Sequence, residues 1–138
     1  MKRYLGLDLG TKTCGIAITD RSNTIIYPYK NLRFKAEDYA YCLKEVKDII
    51  EKEIITDIVI GLPLNMDGSK GFAAKRTLNF VPKLEKLGVN VVTVDERLTS
   101  VEAQRILHEC NLKEENFKDK VDMQAAGLIL EGYLRSIS

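Results

Sequence analysis

The stretch "GLDLGTKTCGIAITD", residues 6–20, sets one acid inside an apolar, glycine-flanked run. "RYLGLDLG" (3–10) and "CGIAITD" (14–20) are short β-type runs, and Thr11-Lys12-Thr13 separates them at hairpin spacing. That opening commits the chain to an antiparallel pair and puts Asp8 in a strand that otherwise reads as buried. A carboxylate there costs several kcal/mol unless a cation or hydrogen-bond donors meet it. Either the fold satisfies Asp8 structurally, or the site binds a cation and performs chemistry.

The rest of the chain extends this start into an α/β architecture. "NTIIYPYK" (23–30) reads as a third strand after the turn Asp20-Arg21-Ser22-Asn23, and Pro28 inside it points to an edge position. The period then changes: Tyr39, Cys42, Leu43, Val46, Ile49 and Ile50 recur at helical spacing. "TDIVIG" (56–61) is a strand followed by the loop "LPLNMDGSKG". A helix is expected from near Ser69, burying Ala73, Thr77, Phe80, Leu84 and Leu87, with Pro82 kinking or dividing it. "VNVVTVDE" (89–96) is a strand, and "TSVE" (99–102) is a capping box for a helix burying Ala103, Ile106, Leu107 and Cys110. A last helix is expected over 121–134. A hairpin meander feeding βαβ crossovers predicts a five-stranded mixed sheet flanked by helices.

At 138 residues the chain is expected to form a single domain, 1–138, with a real core. Its apolar runs are too short for a membrane span, and "YLGLDLG" follows Met1-Lys2-Arg3 with no signal-peptide core, so the expected location is the cytoplasm, away from membranes. Cys14, Cys42 and Cys110 are odd in number and form no CxxC pair, which fits small core thiols in a reducing compartment. The net charge of +1 means that any basic surface is local.

Three acids occupy positions that packing does not favour. Asp8 lies within the first strand; Glu96 ends "VVTVDE", where α/β sheets gather ligands; Asp122 leads an apolar stripe of Ala125, Ala126, Ile129 and Tyr133. Each also has a structural reading. Asp8 accepts turn N–H groups, Glu96 pairs with Arg97 or with the helix starting at Thr99, and Asp122 is a first-turn acid favoured by the helix dipole. Asp95 competes with Glu96, because alternation sends the two side chains to opposite faces and periodicity alone does not choose. If the acids converge, they suit a hard divalent cation, which takes a few oxygen ligands from protein and activates water against a phosphodiester.

The loop "GLPLNMDGS" carries backbone-directing residues and ends near a helix N-terminus with Ser69 and Lys70, a place suited to phosphate. Ordinary turn chemistry is its structural reading. Lys12, Lys70, Arg97, Lys118 and Lys120 form a local basic rim in this topology. His108 is the only histidine, which excludes a His-rich zinc site and a Ser-His-Asp triad built without it.

Taken together, "GLDLGTKTCGIAITD", "GLPLNMDGS", "VDERLTSVEA" and "KVDMQAAGLILEGYL" resemble the YqgF (RuvX) family, small bacterial ribonuclease H-like proteins described as pre-16S ribosomal RNA nucleases and as Holliday junction resolvases. The match runs from about Tyr4 to Leu134, with four blocks in order. The resemblance implies a ribonuclease H-like fold and an Asp-Glu-Asp site at Asp8, Glu96 and Asp122, which favours Glu96 over Asp95. It also implies a phosphodiesterase using Mg²⁺ or Mn²⁺ as cofactor, acting in the cytoplasm on the 5′ end of small-subunit rRNA. The candidate substrate-binding residues are Lys12, Asn65, Ser69, Lys70, Arg97 and Thr99. Expected partners are structured nucleic acid (pre-rRNA or branched DNA) and ribosomal precursor particles, for a chain that is a monomer or weak homodimer. Two departures stand out: Pro82 interrupts a helix that is regular in the family, and "EENFKDK" is less basic than expected before Asp122.

Three alternatives remain. Resolution of four-way DNA junctions would require a dimer holding two sites. The first block also resembles the phosphate hairpin of actin-like sugar kinases and chaperones, but those carry two phosphate loops, and only one "GLDLGT" occurs here. The third is a nucleic-acid-binding protein without catalysis, against which the full acidic trio argues.

Overall fold

The computed structural model describes residues 2–96 and 114–137. Its elements run β1 (Tyr4–Leu9), β2 (Thr13–Thr19), β3 (Ile26–Arg33), α1 (Tyr39–Glu53), β4 (Asp57–Leu62), α2 (Phe72–Glu85), β5 (Asn90–Asp95) and α3 (Glu114–Ser136). The strands form one five-stranded sheet in the order β3-β2-β1-β4-β5. β1 pairs antiparallel with β2, and β2 with β3, while β1–β4 and β4–β5 are parallel. The mixed sheet flanked by helices is therefore the one expected, with Pro28 on an edge strand.

Alternation along β1 sorts the two faces. Leu5, Leu7 and Leu9 enter a core with Cys42, Val46, Ile49 and Ile50 of α1 and Phe80 and Leu84 of α2. Tyr4 enters a smaller core with Val59, Ala126, Ile129 and Leu130, under α3. Helices thus cover both faces of the central strand, as parallel strands require. Cys14 and Cys42 adjoin within the larger core as free thiols, and their contact together with burial holds the Cys14 thiol well above its ordinary pKa.

Several boundaries differ from expectation for local reasons. The third strand begins at Ile26 rather than Asn23, because the Asp20 carboxylate takes the N–H groups of Thr24 and Ile25 and extends the turn. Helix α1 starts where Asp38 accepts from the Tyr41 N–H and stops at Ile54 in the left-handed region (φ 55°), whose N–H returns to Ile50 O. Helix α2 starts at Phe72, not Ser69, and buries Ala74 in place of Ala73. It continues through Pro82 as one helix; the proline falls near its C-terminal end and is exposed. Helix α3 starts at Glu114, earlier than residue 121. The capping box at 99–102, the helix expected after it, and His108 and Cys110 lie outside the described residues. Among the described residues, no helix is long and apolar enough to cross a membrane.

Candidate functional site

Strand register builds the site. Asp8 lies opposite Gly15, and Gly15 opposite Asn31, giving one row across three strands on the α3 face. Glycine is required there because the helix comes so near. A Cβ on Gly15 would sit 2.1 Å from Asp122 O, and one on Gly6 would sit 2.7 Å from Ala126 O. In β4, a Cβ on Gly61 would sit 2.2 Å from Glu96 Oε2. Glycines in three strands thus leave room for α3 and for the Glu96 carboxylate.

Glu96 follows β5 directly, and its N–H donates to Leu62 O at 3.3 Å. It is 8% exposed, whereas Asp95 is exposed, so the alternation that periodicity left open resolves in favour of Glu96. Burial pushes the Glu96 carboxyl up to about 9, and the neighbouring Asp8 carboxylate adds to the push by its charge and by a hydrogen bond. Glu96 Oε2 is buried with no hydrogen-bond partner among the described residues.

Asp122 is also buried, and Asn31 Nδ2 donates to its Oδ2 at 3.2 Å and to Asp119 Oδ1 at 2.7 Å. Arg33 pairs with the same Asp119. Because α3 starts at Glu114, Asp122 lies two turns past the first turn, where the helix dipole has faded. The first-turn explanation for this acid therefore fails.

Buried Asp57 shows what a structural carboxylate looks like in this fold. Thr56 Oγ1 donates to it at 2.6 Å, Asn90 Nδ2 donates at 3.2 Å, and Lys2 Nζ lies at 3.9 Å. Glu96 has instead a second carboxylate beside it and an orphaned buried oxygen, the condition a bound cation relieves. The pair fits a hard divalent cation, whose remaining coordination positions are filled by water and substrate. Among the described residues, no three His, Cys, Asp or Glu side chains are gathered closely enough to hold a metal ion by themselves. Asp8 and Glu96 are brought together, and Asp122 stands on the same face, tied to Asn31.

The candidate substrate residues divide. Lys12 is exposed in the β1–β2 turn, and Lys70 is exposed in the loop after β4, both at the same end of the sheet as Glu96. Asn65 and Ser69, expected to meet substrate, are used within the loop itself. Asn65 Nδ2 donates to Ser69 Oγ at 3.0 Å, and Ser69 donates from both N and Oγ to Asp67 Oδ1. Arg97 and Thr99 lie outside the described residues, as does the Lys118 side chain. Sequence reasoning missed Asn31 and Gly15, and read Gly61 as a backbone-directing loop residue rather than one inside β4 that makes room for Glu96; for the glycines, isolation inside strand patterns was the available signal.

The family model described as "Holliday junction resolvase", RuvX, matches residues 2–136. The chain belongs to the RuvX family. A RuvX relative from Lachnospira eligens, named "Putative pre-16S rRNA nuclease", is 39% identical over 136 residues, 97% of each chain. A relative of the same name from Clostridium botulinum (strain Hall) is 42% identical over 137 residues, 99% of this chain and 98% of that one. Among solved structures, the chain resembles T. thermophilus RuvC in complex with Holliday junction substrate, with a TM-score of 0.65 at 12% identity, covering 100% of this chain and 98% of that one. At that identity the likeness is one of fold, and it gives this RuvX chain the ribonuclease H-like architecture.

Proposed function

We propose that this protein is a nuclease that hydrolyses phosphodiester bonds in structured RNA in the cytoplasm, processing the 5′ end of pre-16S rRNA. Asp8, Glu96 and Asp122 are its catalytic carboxylates, and a divalent cation, Mg²⁺ or Mn²⁺, is their cofactor. The carrying observation is the buried, unsatisfied Glu96 Oε2 beside Asp8 at the strand ends, in a chain whose full-length relatives bear a nuclease name. When bound, the cation supplies positive charge to the scissile phosphate and an acidified water.

The chain's own residues do the rest. Asp8 on β1 and Glu96 after β5, on either side of β4, would hold the cation. Burial and the adjacent Asp8 carboxylate keep a proton on Glu96 at neutral pH, and a cation held there would favour the ionised carboxylate. Asn31 orients the Asp122 carboxylate from β3, and Asp122 adds the third charge from α3. Lys12 and Lys70 attract the phosphate backbone on either side, a contact that positions substrate without reading bases.

A second reading, resolution of four-way DNA junctions, is favoured by the description of the RuvX family. Purified protein incubated with Mg²⁺ or Mn²⁺ and two labelled substrates, a pre-16S rRNA fragment and a four-way DNA junction, separates the two. Cleavage of the RNA alone supports the first reading, and cleavage of the junction alone supports the second. Cleavage of neither overturns both.

A further inference from the structure

Phe72 is 91% exposed, more than any other large hydrophobic residue among those described. Lone exposed apolar residues are ordinary, but this one has company. Met66, in the loop before α2, is 72% exposed, Lys70 and Lys75 are exposed, and Arg76 is half-buried. Lys75 and Arg76 follow Phe72 at three and four positions along α2, so they share its side of the helix.

The ring is carried on a stiff support. Asn65 N donates to Ser69 O at 2.9 Å and Gly68 N to Asn65 O at 2.8 Å, with Gly68 in the left-handed region at φ 87°. The side-chain bonds among Asn65, Asp67 and Ser69 lock the turn further. The Asn65 side chain also lies against Gly71, where a Cβ would meet it at 3.1 Å. The support joins the candidate site through the chain: Glu96 N bonds Leu62 O, and only Pro63 and Leu64, at most roughly 10 Å of chain, lie between Leu62 and Asn65.

We propose that Phe72, at the start of α2, is a stacking platform for an unpaired nucleotide flanking the scissile phosphate. The proposal rests on the nucleic-acid reading above and deepens it: the preferred substrate carries a single-stranded segment next to the cleavage position. An unpaired base offers a free π-face to an aromatic ring, whereas bases within an A-form helix are already stacked. The flanking lysines and arginine complement the phosphates on either side of such a nucleotide and disfavour a purely apolar occupant.

The test is a binding measurement in EDTA, where no cleavage occurs. One probe is an RNA stem-loop with an unpaired extension carrying 2-aminopurine; the other is the same stem with its extension paired. Wild type should bind the unpaired probe more tightly and change its fluorescence. Phe72→Ala should weaken that binding about five- to a hundredfold and leave the paired probe unaffected, while Phe72→Trp keeps the preference. Equal loss on both probes, or an undiminished preference in Phe72→Ala, would overturn the platform. Wild type that shows the preference yet cleaves neither the pre-16S rRNA fragment nor the four-way junction once Mg²⁺ or Mn²⁺ is added would overturn the nuclease reading and leave the platform standing.

Discussion

Gly15 lies so close under Asp122 that a β carbon at position 15 would stand 2.1 Å from the Asp122 carbonyl oxygen. The neighbour is backbone, so no side-chain rotation relieves the clash, and α3 as a whole must retreat. Gly15→Ala should therefore cost about 1–3 kcal/mol, as overpacking does, and lower nuclease activity by moving Asp122 away from the Asp8 row. Gly127 is the control. A Cβ there meets Ile26 at 3.8 Å and Ala17 at 4.0 Å, ordinary contacts, so Gly127→Ala should stabilise the helix by about 0.5–1 kcal/mol. Urea unfolding of the two variants decides; an undisturbed Gly15→Ala would contradict the packing described.

Glu96 makes stability without a cation depend on pH with a definite sign. Its folded-state carboxyl titrates at about 9, against an ordinary value of 4.5. Between those values the native chain keeps a proton that the unfolded chain has released, so stability falls as pH rises through that window. Below it, the contribution is intact. Glu96→Gln mimics the protonated form and should escape the loss. Its thermal midpoint in EDTA should match wild type near pH 4.5 and exceed it increasingly toward pH 9. Parallel curves across that range would refute the buried pairing with Asp8.

Lys70 should act through charge alone. Lys70→Ala is expected to weaken RNA binding across sequences and to reduce the slope of log affinity against log salt by about one. The fold should be untouched, since the residue is exposed. Titrations at several salt concentrations give the slope, and an unaltered value would remove Lys70 from the phosphate contacts.

The parts of this fold legible in the sequence were those set by local pattern. The hairpin around Thr11-Lys12-Thr13, the edge position of Pro28 and the helical stripe from Cys42 to Ile50 all follow from spacing within a few residues. Glu96 was legible as one of a pair, and its burial at the end of β5 decided between it and Asp95. Asn31 was hidden because its role depends on register: only the pairing Asp8–Gly15–Asn31 brings it to Asp122. The start of α3 was hidden because "EENFKDK" has no apolar period, which concealed how deep in the helix Asp122 sits. The loop residues Asn65 and Ser69 looked like ligand-binding groups for the same reason that they build a turn: short polar side chains bond nearby backbone and one another.

Asp122 itself offers the cleanest separation of catalysis from architecture. Asp122→Asn preserves shape and leaves an oxygen to accept from Asn31 Nδ2, while removing the charge. A dipole role would have made the change destabilising by roughly 0.3–1 kcal/mol, but that effect is confined to the first helical turn, and α3 begins eight residues earlier at Glu114. What remains is crowding by Asp119, which shares the Asn31 amide, and by the Asp8–Glu96 pair on the same face. Relief of that crowding should leave thermal stability in EDTA unchanged or raised. Nuclease activity should fall by orders of magnitude, and added Mg²⁺ should raise the midpoint of the variant less than that of wild type, by mass action on the folded state. A variant that is less stable in EDTA, responds equally to Mg²⁺ and remains fully active would remove Asp122 from the catalytic set and leave Asp8 and Glu96 to hold the cation alone.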